Sequence, residues 1–348
     1  MPIKVLVVDD SAFMRRVISD MLNSSAGIEV VATARNGIEA LEKMVTHEPQ
    51  VITLDVEMPK MDGITALKQI MRNRPTPVIM LSSVTQKGSK ETMEALSLGA
   101  LDFVPKPSGA ISLDLEKVKN ELVFKVRAAV KAQMPAKKVK QKVVFPEPPE
   151  KTTKPVSQTR ASKLLAIGSS TGGPKALEVI LTHLPGDLPA SILITQHMPK
   201  GFTRSLAERL DRLCHLRVKE AEDGDIVRNS QVFIAPGGYH LKLKKKEEIY
   251  LSEEDPVEHV RPSADVMMKS IAEHYGANIV GVILTGMGKD GTSGMEAIKK
   301  AGGRTIAQDK STATIFSMPR SVIEAGYADI VVPLKDMAVK IAGCIRDL

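Results

Sequence analysis

The sequence predicts an α/β protein of two domains, each a doubly wound parallel sheet with helices on both faces, joined by a Pro/Lys-rich linker. Three observations predict it. Short apolar runs alternate with helix-period stretches in residues 1–132 and again in 163–348, the rhythm of strands linked by crossover helices. Residues 133–162 break that rhythm with five prolines, seven Lys or Arg and one sustained apolar stretch, Val143-Val144-Phe145. A chain of 348 residues also suits two domains of roughly 100 to 200 residues, each large enough for its own core.

Composition narrows the class. With 43% hydrophobic and 26% charged residues the chain is not a disordered one. Two cysteines, Cys214 and Cys344, give neither a disulfide framework nor a four-ligand zinc site, which points to a reducing, cytoplasmic setting. The opening Val5-Leu6-Val7-Val8 runs into two aspartates, and the longest apolar run, Ile279 to Leu284, is too short to span a bilayer; neither a signal peptide nor membrane insertion is expected. The net charge of +7 invites a nucleic-acid reading, but its distribution does not. Residues 1–132 carry 17 basic and 16 acidic groups and residues 163–348 carry 24 and 23, so the excess sits in the linker and no nucleic-acid partner is expected. That linker cannot bury enough apolar surface to fold and reads as a semi-rigid tether.

In the first half, the strands are expected at Val5–Val8, Ile28–Ala32, Val51–Leu54, Val78–Leu81 and Asp102–Val104. Ligands of open parallel sheets bind at the carboxyl ends of the strands. That rule selects Asp9 and Asp10 after the first strand, Asp55 after the third, Ser82 after the fourth and Lys106 after the fifth. Three carboxylates converging on one edge repel unless a cation joins them, and an all-oxygen set with few protein ligands suits Mg²⁺ with retained waters.

Val7-Val8-Asp9-Asp10-Ser11, Asp55-Val56-Glu57-Met58-Pro59 with Asp62-Gly63, and Lys106-Pro107 together resemble a response-regulator receiver domain, a flavodoxin-like fold. The resemblance covers the whole first half. It implies that Asp55 is the phosphoacceptor, that Asp9, Asp10 and Asp55 with the Glu57 backbone carbonyl hold Mg²⁺, that Ser82 is the switch hydroxyl and Lys106 the phosphate partner, and that a histidine kinase supplies the phosphoryl group. An aspartyl phosphate adds roughly −1.5 to −2 charges, which Ser82 and Lys106 would turn towards.

The second half opens on the run Lys163–Ile167, followed by Gly168-Ser169-Ser170-Thr171-Gly172-Gly173-Pro174 and a helix expected over Lys175–Leu184. Two chemistries use such a turn: a backbone phosphate cradle, or a nucleophile elbow that lifts the Ser170 hydroxyl above the sheet. The loop alone does not decide. The strand Ile192–Thr195 then ends in Gln196-His197-Met198-Pro199, and the strand Ile279–Leu284 runs into Thr285-Gly286-Met287-Gly288-Lys289-Asp290-Gly291. Ser170, His197 and Asp290 therefore meet at one edge as nucleophile, base and orienting carboxylate, in an order unlike that of the α/β-hydrolases. Each has a rival: Ser169 beside the elbow, His183 on a helix flank, His240 after the Val232–Ala235 strand, and Asp309, the serious one, after Arg304–Ala307. Leu241–Leu251 reads as a solvated hairpin, and Met267-Met268, on a helix after Pro262, as core filler.

Ile167 to Pro174, Gln196 to Pro199 and Leu284 to Gly291 together resemble the chemotaxis protein-glutamate methylesterases, whose catalytic domain is Rossmann-like and whose architecture pairs it with a receiver. The resemblance implies that Ser170, His197 and Asp290 form a triad, that no cofactor serves ester hydrolysis, and that the substrates are methylated glutamates on chemoreceptor cytoplasmic domains, with glutamine deamidation as a second activity and the chemotaxis histidine kinase as phosphodonor. Backbone N–H groups of Thr171 and Met287 are expected to hold the oxyanion. The rival from another class is a phosphorylation-gated nucleotide-binding module without hydrolase activity, which needs the Gly168–Gly173 loop to hold phosphate and leaves His197 and Asp290 unused.

Overall fold

The computed structural model describes residues 1–83, 85–106, 112–132, 159–245 and 247–348. The chain divides into two compact units, Met1–Lys142 and Val143–Leu348. Most of the expected linker, including Val143–Phe145, lies outside the described residues, as does Pro107.

The first unit is a five-stranded parallel sheet of β1 (Ile3–Val8), β2 (Ile28–Ala34), β3 (Val51–Asp55), β4 (Val78–Ser82) and β5 (Asp102–Pro105), in the order β2-β1-β3-β4-β5. The expected strands lie within these. Residues 5–8 of β1 and the whole of β3 and β4 are buried, as continuous apolar runs covered on both faces require. Helices α1 (Ala12–Asn23) and α5 (Ser112–Ala129) pack together on one face; α2 (Gly37–His47), α3 (Gly63–Asn73) and α4 (Gln86–Leu98) form the other layer. Their starts are written in the sequence: Ser11, Asn36, Asp62 and Thr85 each accept a backbone N–H three residues on and so cap α1 to α4. Gly63 packs directly on the end of β3, where a Cβ would come within 2.0 Å of the Asp55 carbonyl oxygen.

The second unit is a seven-stranded parallel sheet, ordered β14-β13-β12-β6-β7-β9-β8. Its strands are β6 (Leu164–Ser169), β7 (Ser191–Gln196), β8 (Arg217–Glu220), β9 (Gln231–Ile234), β12 (Ile279–Ile283), β13 (Arg304–Gln308) and β14 (Ile330–Val332). Helices α6 (Gly173–Leu181), α7 (Phe202–Leu213) and α11 (Leu334–Asp347) form one layer; α8 (Ala264–Tyr275), α9 (Thr292–Lys300) and α10 (Ser317–Glu324) form the other. The chain fills the sheet rightwards from β6 and later returns to fill it leftwards from β12. The strand order therefore reverses beside β6, the place where α/β sheets open a crevice.

Two expectations are modified. The hairpin of β10 (His240–Lys245) and β11 (Glu248–Ser252) is not solvated on both faces: Leu241, Leu243 and Ile249 alternate inward into the core, where β10 packs on α8. Ala161, placed in the tether by the sequence reading, is 1% exposed and takes the Tyr275 hydroxyl on its carbonyl at 3.0 Å; one alanine between Arg160 and Ser162 gives no apolar run to see. Met267 and Met268 are fully buried core residues, as expected.

Steric room at two glycines sets a stability test. Gly343 lies within α11, where a Cβ would meet nothing beyond its own stretch of helix within 4 Å, so Gly343→Ala should stabilise the chain by up to about 1 kcal/mol. Gly63→Ala should destabilise it by about 1–3 kcal/mol, because the Asp55 carbonyl cannot move without moving the strand end. Denaturant unfolding monitored by circular dichroism ranks the two; the opposite order would contradict the packing described.

Candidate functional site

In the first unit, β1, β3 and β5 bring Asp9, Asp10, Asp55 and Lys106 together. The Lys106 ammonium lies 2.7 Å from Asp55 Oδ2 and 2.9 Å from Asp9 Oδ2. Arg15 of α1 donates to the carbonyls of Asp9 and Asp10 at 2.8 and 2.9 Å, which fixes the end of β1. Asp9 and Asp55 are buried and Asp10 is exposed, so the cluster opens to solvent on one side. The Asp55 carboxyl is raised to about 6, mainly by burial, with Lys106 pulling it down and the neighbouring Asp9 charge adding to the rise. Burial works against the Lys106 charge too, yet its bonds to Asp55 and Asp9 hold its pKa above the usual lysine value.

One ammonium thus pairs with two of the three clustered carboxylates. One oxygen from each of Asp9, Asp10 and Asp55 lies within 4.8 Å of the others, and Asp9 Oδ2 is buried without a well-directed hydrogen bond. An all-oxygen set of three clustered carboxylates, two of them sharing a single ammonium, fits a hard divalent cation. Glu57, two residues past Asp55, turns its side chain outward to Lys87 at 2.6 Å. Ser82 is buried against α4: its hydroxyl donates to the Gly88 carbonyl at 3.1 Å and accepts from Thr92 Oγ1 at 2.7 Å.

In the second unit the three adjacent strands β12, β6 and β7 end in register, Ile283 opposite Gly168 and Gly168 opposite Thr195. Ser170 follows β6, His197 follows β7, and Asp290 sits in the loop after β12. His197 Nε2 lies 2.8 Å from Asp290 Oδ2. Asp290 is 2% exposed and accepts three more bonds, from Ser263 Oγ at 2.7 Å, the Ala264 N–H at 2.6 Å and the Asp265 N–H at 3.1 Å. The latter two belong to the N-terminus of α8, whose dipole favours a negative charge. Burial alone would raise the Asp290 carboxyl, but the bonds from His197, Ser263 and Ala264 outweigh it and hold the carboxyl below its ordinary value. An ionised carboxylate only accepts, so of the two neutral tautomers the bond selects the one with its proton on Nε2 and its lone pair on Nδ1.

Ser170 is half-buried at the loop apex, and its hydroxyl makes no hydrogen bond among the described residues. Its N–H donates to the Thr285 carbonyl at 3.1 Å, and a Cβ on Gly286 would meet Ser170 Cβ at 2.9 Å; the segment carrying Met287 thus runs against the serine. Thr171 is buried in the turn into α6, its carbonyl accepting from Thr285 Oγ1 at 2.9 Å. The N–H groups of Ser170 and Gly173, which a phosphate cradle would need, are spent on the Thr285 and Ser170 carbonyls, and this argues against the nucleotide-binding rival.

The rivals to the three residues lie elsewhere. Ser169 is fully buried and donates to Gln196 Oε1 at 2.8 Å. His183 is exposed, bonded to the Val179 carbonyl. Asp309 closes its own turn through Ser311 Oγ at 2.6 Å and Thr312 Oγ1 at 2.5 Å. His240 is buried between the Asp255 carbonyl and the Ser263 N–H, its pKa lowered mainly by burial; it supports the cap residue that holds Asp290. The sequence reading missed Ser263 and Gln196, although a serine opening an apolar helix and a glutamine preceding a candidate base were both visible signals.

The chain is similar to known proteins along its whole length. The family model for CheB methylesterase matches residues 165–341, and that for the response regulator receiver domain matches residues 5–116. A protein-glutamate methylesterase/protein-glutamine glutaminase of Symbiobacterium thermophilum is 48% identical over 99% of this chain and 98% of its own length. One from Halalkalibacterium halodurans is 50% identical over 97% of this chain and 96% of its own. The crystal structure of the Thermotoga maritima CheB methylesterase catalytic domain aligns with a TM-score of 0.51 at 49% identity, covering 52% of this chain and 97% of that one.

The two carboxylates separate experimentally. Asp290→Asn should slow ester hydrolysis by about 10²- to 10⁴-fold through loss of the imidazole's orientation, whereas Asp309→Asn should stay within about threefold. The reverse ranking would hand the role to Asp309. Because the folded Asp290 carboxyl lies below its unfolded value, its contribution to stability is complete above about pH 4 and is lost as pH falls through the folded value. Asp290→Asn should therefore flatten acid unfolding below about pH 4.

Proposed function

This chain belongs to the CheB methylesterase family and carries a response regulator receiver domain ahead of the catalytic one, and from that premise we propose that it is a phosphorylation-activated serine hydrolase of chemotaxis adaptation. It removes methyl esters from glutamates of chemoreceptor cytoplasmic domains and deamidates receptor glutamines at the same site, in the cytoplasm. The observation that carries the reading is the 2.8 Å bond from His197 Nε2 to a buried Asp290, one strand either side of the strand that presents Ser170.

The chemistry follows from that bond. His197 Nδ1 takes the Ser170 proton as the hydroxyl oxygen attacks the ester carbonyl, while Asp290 keeps the Nε2 proton and stabilises the imidazolium. The tetrahedral oxyanion is held by the N–H groups of Thr171 and Met287, and one such donor is typically worth about 3–4 kcal/mol. As the intermediate collapses, the imidazolium gives its proton to the departing methoxy oxygen, or to the amide nitrogen of a glutamine, so that methanol or ammonia leaves. Water, activated by the same nitrogen, then cleaves the acyl-enzyme and restores a carboxylate and a free serine.

In the receiver, the Asp55 carboxylate accepts the phosphoryl group from the chemotaxis histidine kinase. A divalent cation, Mg²⁺ by its donor set, supplies charge neutralisation when held by Asp9, Asp10, Asp55 and the Glu57 carbonyl. Lys106, already on Asp55, pairs with the added charge. Ser82 reaches it only by giving up its bonds to Gly88 and Thr92, so the phosphate and the seating of α4 compete for one hydroxyl.

Methanol release from methylated receptor fragments tests the output. Ser170→Ala should abolish it in a chain that still folds and still takes up phosphate; retained release would sink the nucleophile assignment. For the input, Asp55→Asn should block label uptake from acetyl phosphate, and chelation should do the same to the unaltered chain. Phosphate in the Asp55→Asn chain, or full uptake in chelator, would contradict it.

A further inference from the structure

The Gln196 side chain touches the backbones of both reacting residues. It is 2% exposed, and every polar atom of its amide is engaged. Nε2 donates to the Ser170 carbonyl at 3.0 Å and to the His197 carbonyl at 3.3 Å, while Oε1 accepts the Ser169 hydroxyl at 2.8 Å. The Ser170 carbonyl also takes the Gly173 N–H at 2.7 Å, so two donors fix one oxygen. The fit leaves no slack: a Cβ at Gly173 would come within 2.0 Å of Gln196 Oε1 and 2.9 Å of Ser169 Oγ.

A trans peptide is planar, with its N–H directed opposite to its C=O. Fixing the Ser170 carbonyl towards the buried amide therefore fixes the following N–H, that of Thr171, towards the other side. This is the direction in which the residue after a nucleophile must point if its N–H is to meet an oxyanion. The bond to the His197 carbonyl ties the base to the same amide.

We infer that Gln196 is a positioning residue: its carboxamide sets the Ser170–Thr171 peptide, and with it the oxyanion donor, in register with His197. The inference rests on the reading of Ser170 as nucleophile and Thr171 N–H as oxyanion donor. It adds a function for a side chain that touches no substrate. Preorganised donors need such support, because a donor that must rotate into place loses most of its advantage at the moment charge develops.

The test uses the full-length chain with methylated receptor fragments. Gln196→Met keeps length and volume but cannot donate; Gln196→Glu keeps the shape and puts an oxygen against two carbonyls. Both should lower kcat by about 10- to 100-fold with KM within about twofold, and slow labelling by a serine-reactive fluorophosphonate in parallel, since both reactions need the donor in place. Rates are taken per folded chain, counted by final labelling amplitude and circular dichroism, so a loss of fold alone lowers the count and leaves kcat unmoved. Wild-type kcat per folded chain in Gln196→Met, or a rise in KM with kcat unchanged, would overturn the role of Gln196 while leaving the nucleophile reading intact. Release that survives Ser170→Ala would instead overturn the nucleophile reading and this inference with it.

Discussion

A buried carboxylate at Asp290 is the constraint on which the second domain turns. An isolated ionised carboxylate in a protein interior is costly, and the ordinary outcome is protonation. Asp290 escapes it because the fold aims four donors at it: His197, the Ser263 hydroxyl and two N–H groups opening α8. The exchange is reciprocal. Asp265, in the first turn of α8, accepts the Gly294 N–H of α9 at 2.7 Å, while Asp290, just before α9, holds the start of α8. Two helices thus trade carboxylates at their N-termini. Burial and the nearby Asp290 charge raise the Asp265 carboxyl, so the two acids are not equivalent: one is held ionised and the other is drawn towards its neutral form. His197 inherits a fixed orientation from helix packing well away from the reacting atoms.

The receiver edge is built the opposite way. Two of its three carboxylates, Asp9 and Asp55, share one ammonium, and Asp55 is raised to about 6. Where the Asp290 site is complete within the chain, this one is short of positive charge, which suits the gain of a cation and a phosphoryl group proposed for it. Arg15 adds to the contrast, since its guanidinium spends itself on the backbone carbonyls of Asp9 and Asp10 and leaves their carboxylates to other partners.

Much of this was legible in the sequence because strand ends are legible. Apolar runs followed by Asp, Ser, His or Lys located Asp9, Asp10, Asp55, Ser82, Lys106, Ser170 and His197 at sheet edges, and the carboxyl-end rule needed nothing more. Strands β8 and β14 were not visible, being short edge strands with charged or half-exposed residues: Arg217–Glu220 reads as polar surface and Ile330–Val332 is three residues long. The sequence favoured Asp290 for the carboxylate but left Asp309 as a serious rival. Both follow adjacent strands, and only the three-dimensional arrival of α8, called in the sequence reading merely as a helix after Pro262, separates them. The hairpin was misjudged through its lysines, which face outward in alternation with the buried Leu241 and Leu243.

What the sequence could not carry at all is the choice between imidazole nitrogens. In the Ser-His-Asp template the carboxylate holds Nδ1 and the base is Nε2; here Asp290 lies on Nε2, so in the proposed triad Nδ1 is the basic atom. The two nitrogens differ in reach: Nε2 lies at the far end of the side chain, Nδ1 beside the backbone. A carboxylate that arrives from β12, on the far side of β6 from His197, must be met by the distal nitrogen, and the proximal one is then left near the histidine's own strand end, next to the strand that carries Ser170. The backbone of His197 must consequently be placed as accurately as its ring, since Nδ1 moves with it. That requirement gives the bond from Gln196 to the His197 carbonyl its meaning, and it ties the tautomer chosen by α8 to the peptide geometry chosen beside β6.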